Sequence, residues 1–127
     1  MLQPTATRVP KALNRPTPEG SASSYFKKGE GYNHDGKYRL AVEEFTTAIR
    51  LNPGYTSAYW ARGWAYDYLN QYQQAIQDFD KAIQLEPYDG LLAMAYQGRS
   101  EAYDRLGKHG IAGADNAKAC FLDSQYC

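Results

Sequence analysis

An all-α fold of three stacked helix pairs is what this sequence predicts, on the strength of internal repetition and helical periodicity. Residues 22–55 laid over 56–89 without a gap give 11 identities in 34, where unrelated sequences give roughly two. They are Ser23/Ser57, Tyr25/Tyr59, Gly29/Gly63, Tyr32/Tyr66, Tyr38/Tyr72, Ala41/Ala75, Phe45/Phe79, Ala48/Ala82, Ile49/Ile83, Leu51/Leu85 and Pro53/Pro87. A third copy over 93–124, at a shift of 37, keeps Tyr59/Tyr96, Arg62/Arg99, Tyr66/Tyr103, Leu69/Leu106, Ala75/Ala112, Asp78/Asp115, Ala82/Ala119 and Leu85/Leu122. Within a unit, Tyr59, Gly63, Tyr66 and Leu69 fall on one helical face. After a break at Asn70-Gln71, so do Ala75, Ile76, Phe79, Ala82 and Ile83, and Pro87 ends that second helix.

The elements follow in order. Residues 1–21 hold Pro4, Pro10, Pro16 and Pro18 and no apolar period, which predicts an extended, disordered arm. With Arg8, Lys11 and Arg15 against Glu19 the arm carries +2, so the other residues carry −2 and the whole chain is neutral. Residues 22–124 form the repeat domain, with units at about 22–55, 56–89 and 93–124, and 125–127 are a tail. A glycine inside a helix costs about 0.5–1 kcal/mol relative to alanine. Gly29 and Gly63 therefore mark close approach: Gly63 against Ala75, with Tyr66 and Phe79 filling the wedges beside that contact.

These residues resemble the tetratricopeptide repeat family. The match rests on the 34-residue period, the small residue at Gly29/Gly63, the aromatic at Tyr32/Tyr66, and Ala41/Ala75, Phe45/Phe79, Ala48/Ala82 and Pro53/Pro87. It weakens in the third unit, where Ser100 replaces the glycine, Asn116 the aromatic and Ser124 the proline. The resemblance implies a short right-handed α-α superhelix, a solenoid whose first helices line a concave groove that binds peptides or partner proteins. Carried over, the groove positions are Phe26, Glu30 and Asn33 with His34 in the first unit. In the second they are Trp60, Trp64, Asp67 and Tyr68, and in the third Gln97, Glu101, Asp104 and Arg105.

Trp60 and Trp64 lie four apart and share a face. They read either as an aromatic shelf for a ligand or as indoles packed between neighbouring helices. Glu30, Asp67, Glu101 and Asp104 against Arg105 make the groove acidic, which favours an apolar, aromatic or basic partner segment. Some family members clamp an acidic carboxyl-terminal peptide with Lys, Asn and Arg. Phe26 and Glu30 stand where the first Lys and Asn of that clamp are expected, so the clamp is absent. The chain's own arm is a candidate occupant. Lys28, Arg62 and Arg99 in one column and Glu44, Asp78 and Asp115 in another read as ion pairs fixing helix register, each contributing up to about 1 kcal/mol if exposed.

Zero net charge argues against nucleic-acid binding, and no apolar run reaches the roughly 18 residues needed for membrane insertion. No catalytic, cofactor or metal constellation is present: His34 and His109 sit near turns with no nucleophile beside them, and His109 reads as a packing residue. Gly107, Gly110 and Gly113 lack the strand and the Lys-Ser/Thr of a phosphate loop and are expected to weaken the last helix pair. Cys120 reads as a small core residue and Cys127 as a free thiol, since an unbroken helix between them would hold them too far apart to bond. No secretory signal is read, although a leader already removed would leave no trace; the cytoplasm is slightly favoured. The function expected is a non-enzymatic interaction module. The alternative is a structural subunit locked into a complex or homo-oligomer through its arm and its uncapped last unit.

Overall fold

The computed structural model describes residues 20–85 and 88–127. The arm, including Arg8, Lys11 and Arg15, and the helix-ending role of Pro87 lie outside the described residues. Six α-helices are present among the described residues: α1 Ala22–His34, α2 Tyr38–Leu51, α3 Thr56–Tyr68, α4 Tyr72–Leu85, α5 Asp89–Arg105 and α6 His109–Leu122. Each packs on its sequence neighbour, and α3 also meets both α1 and α5. The first helix of each pair therefore lies beside the first helix of the next, as one layer of a solenoid.

The same turn joins the helices within every pair. Gly36, Asn70 and Gly107 occupy equivalent positions and all have positive φ, at 76°, 64° and 79°. Glycine and asparagine are the residues that adopt this left-handed conformation at little cost. The next amide then bonds back to the carbonyl of Tyr32, Tyr66 or Tyr103, at 2.8, 2.9 and 2.8 Å. At the start of α1, Ser21 caps the helix by accepting from the Ser24 amide at 3.2 Å.

The glycines do more than let Ala75 approach. A Cβ on Gly63 would lie 2.8–3.1 Å from three atoms of the Phe79 ring, and one on Gly29 would meet the Phe45 ring at 2.5–2.9 Å. The aromatic ring itself, not a wedge beside the contact, occupies the space. Phe79 also meets the next unit, where a Cβ on Gly98 would fall 2.5 Å from its ring. In the last pair Asn116 is exposed and no ring must be cleared, so Ser100 fits, buried, with its hydroxyl donating to the Ala112 carbonyl at 2.8 Å.

The ion-pair columns exist in two of the three units. Arg62 grips Asp78 at 2.8 Å through both Nε and Nη2, and Arg99 grips Asp115 at 2.8 and 2.7 Å. Both aspartates are buried, so the small contribution of an exposed pair does not apply to them. Each arginine also reaches the preceding unit: Arg62 donates to Thr46 Oγ1 at 3.0 Å and Arg99 to Asp80 at 2.8 Å. Tyrosines surround them. The Arg62 guanidinium lies 5.8 Å from the Tyr59 ring and 5.7 Å from that of Tyr66. In the first unit Lys28 sits 5.3 Å over the Tyr25 ring instead; lysine lacks the planar fork that makes the bidentate grip.

Two local expectations are corrected. His109 is exposed, with Nδ1 at 2.9 Å from Asp104 Oδ1; at the first residue of α6, an imidazole is too short and polar to cover the core as Tyr38 does at the start of α2. Cys120 and Cys127 form a disulfide. The helix does not run unbroken between them: it stops at Leu122, and a 3₁₀ turn at Ser124–Tyr126 folds the tail back. Thiol titration of the denatured, unreduced chain is therefore expected to find no free thiol; two would show that the disulfide is absent.

Candidate partner-binding groove

The groove positions recur by three- and four-residue steps along the first helices, so that on each helix they form one stripe. Phe26, Trp60 and Gln97 occupy one row across the units, Glu30, Trp64 and Glu101 a second, and Asn33, Asp67 and Asp104 a third. The rows differ in how they meet their surroundings.

In the first row Phe26 is half-buried, with its ring 5.6 Å from Phe45 and 5.1 Å from Tyr55. Trp60 is also half-buried and packs against all three clusters of the core. Its indole therefore stitches units together, which is the packing alternative of the sequence reading, yet its Nε1 donor is buried without a hydrogen-bond partner. Gln97 donates to Glu101 at 3.3 Å while its own Oε1 is buried and unpaired. In the second row Glu30 is exposed, Glu101 is half-buried, and Trp64 stands edge-on to Phe79 at 5.5 Å.

The third row holds the least satisfied groups. Asn33 Oδ1 is buried with no partner. Asp67 is 1% exposed and neither carboxylate oxygen has a hydrogen bond. Burial pushes the Asp67 carboxyl above the usual carboxylate range; Arg105 draws it back, and the nearby negative charge of Glu101 adds to the rise. Asp104 is exposed and paired with His109.

Tyr68 and Arg105 stand at equivalent positions and do equivalent things. Tyr68, 57% exposed, stacks on the Tyr38 ring at 4.7 Å and 9°. Arg105 lies over the Tyr72 ring at 5.9 Å. Each thus braces the first residue of the preceding unit's second helix, a packing role that the sequence did not disclose because the partners lie about 30 residues apart. Gly98 was missed for the same reason: its role depends on a ring from another unit. His34 is exposed at the rim.

Among the described residues, the side chains with buried polar atoms lacking a hydrogen bond are Asn33, Trp60, Asp67 and Gln97. All sit on first helices, across all three units. Buried polar groups in folded proteins are nearly always paired, so this concentration along one face calls for an explanation. Among the described residues no group of three His, Cys, Asp or Glu is placed to hold a metal ion.

Comparison with known proteins agrees with this architecture. No curated protein sequence matches the chain. Among solved structures, the Arabidopsis OM64 TPR domain is 30% identical, with a TM-score of 0.77 over 82% of this chain and 84% of that one. The first TPR of Spaghetti (RPAP3) bound to the HSP90 peptide SRMEEVD is 26% identical, with a TM-score of 0.77 over 82% and 80%. The second TPR domain of human RPAP3, in complex with the HSP70 peptide SGPTIEEVD, is 30% identical, with a TM-score of 0.74 over 81% and 83%. The tetratricopeptide repeat sequence profile matches residues 22–55 and again 58–89. With its period, its turns and its packed glycines, the chain belongs to the tetratricopeptide repeat family.

Proposed function

We propose that this domain is a non-enzymatic interaction module whose first helices bind an extended segment of a partner protein. Proteins of this fold are interaction modules, and similar domains bind chaperone peptides. The observation that carries the reading is the line of buried, unpaired polar atoms on Asn33, Trp60, Asp67 and Gln97. A peptide backbone laid along them supplies the missing donors and acceptors, so that binding repays part of what folding leaves unsatisfied.

The preferred segment is basic or aromatic. The peptides bound by the similar domains end in Glu-Glu-Val-Asp, whereas this groove presents Glu30, Glu101 and Asp104 beside the buried Asp67. Titration with SRMEEVD, followed by emission from Trp60 and Trp64, is expected to show no saturation; micromolar binding overturns the preference. For whichever segment binds, Trp64→Ala is expected to weaken it about tenfold or more, as removal of a central aromatic anchor does. Trp64 also packs on Phe79, so Glu30→Lys serves as a second variant. Glu30 is exposed, and its reversal should weaken a basic segment without moving the urea midpoint.

One observation favours the structural-subunit reading as well. On α6, at the last unit, Phe121 is 86% and Ile111 49% exposed, an apolar surface where a further repeat or partner packs in a solenoid. Under that reading Trp64→Ala leaves assembly intact, while Phe121→Ser abolishes it in light scattering.

A further inference from the structure

We propose that Asp67 is the subsite for a lysine or arginine side chain of the bound segment, with Arg105 holding the place of that cation until the ligand arrives. The inference rests on the groove reading above and names what the ligand must carry. Arg105 Nη1 stands 3.6 Å from Asp67 Oδ2, beyond hydrogen-bond reach. This scaffold shows what an arginine committed to a structural pair looks like. Arg62 and Arg99 reach their aspartates with two bonds each at 2.7–2.8 Å, and their side chains are only 17% and 22% exposed. Arg105 makes no such grip and its side chain is 46% exposed.

A buried carboxylate with so loose a partner costs folding free energy. The fold does not require one there, since the equivalent residues are Asn33 in the first unit and exposed Asp104 in the third. The cost is offset once a cation with free donors sits on both oxygens. Trp64 lies one turn earlier on the same face and offers its indole to the aliphatic stem and the charge. Glu101 and Asp104 keep the approach acidic, which draws a cation in and repels an acidic tail.

The test uses the full chain, fluorescently labelled, on pools of blocked heptapeptides randomised around a fixed centre of Lys, Arg, norleucine or Glu. Retention on the Lys and Arg pools is expected to exceed that on the norleucine pool about tenfold, the scale of one charge-assisted contact. Asp67→Asn should erase the preference while its thermal midpoint stays level or rises by about 2–4 °C, because a buried charge has gone. A purely structural aspartate predicts a lower midpoint instead. Arg105→Gln should strengthen retention on the Lys pool several-fold, and it decides the matter if Asp67→Asn does not fold; unchanged or weaker retention overturns the proposal. Equal retention on the Lys and norleucine pools overturns the Asp67 subsite and leaves the groove reading standing. No retention on any pool overturns both.

Discussion

Phe79→Ala is expected to cost about 3–5 kcal/mol, the range for removing a large aromatic from a core. For a domain of this size that lowers the thermal midpoint by about 15 °C or more. Phe79 is fully buried, and its ring is gripped from two sides, by Gly63 in its own unit and Gly98 in the next. A cavity there loosens both the helix pair and the junction to the third unit, and neither glycine has a side chain with which to fill it. Gly98→Ala adds a control. In the wild type its Cβ would meet the ring at 2.5 Å, so it should cost about 1–3 kcal/mol by overpacking. In the Phe79→Ala background the same substitution should cost nothing or stabilise, and the difference measures the coupling of the two positions. Additive losses would show that ring and glycine are not in the contact described.

The repeat pattern made the helix pairs and the turns within them legible in the sequence, because each of these is specified by residues close together in the chain. Gly29, Gly63 and the aromatic partners Phe45 and Phe79 stood out by recurring at the 34-residue period. Contacts between units were not legible, since no local signal announces that Gly98 clears a ring on α4 or that Tyr68 stacks on Tyr38. The groove stripe was placed by family resemblance, but the unpaired state of Asn33, Trp60, Asp67 and Gln97 depends on what neighbouring helices cover. The disulfide was misread because an exact helix end decides it: one 3₁₀ turn after Leu122 brings Cys127 back to Cys120.

Arg62→Met is expected to cost about 3 kcal/mol in urea denaturation at neutral pH, far more than an exposed pair. Its side chain is 17% exposed and that of Asp78 only 6%, so removing the guanidinium strands a buried carboxylate, and that is the expensive event. Two consequences separate this from loss of packing. The first is that Arg62→Met with Asp78→Leu should recover most of the loss, since no charge is then buried. The second concerns pH. Burial is the largest influence on the Asp78 carboxyl and raises it above its ordinary value of 3.8, with Arg62 drawing it down. A carboxyl whose pKa is raised by folding contributes stability that is fully present below the unfolded value and is lost as pH rises through the folded value. Without Arg62 the folded value climbs further, so the destabilisation of Arg62→Met should shrink as pH falls from 7 toward 4, when Asp78 can be buried as the neutral acid. A loss that stays constant over that range would mean that the arginine acts through the contact of its guanidinium with the Tyr59 and Tyr66 rings and not through the pair.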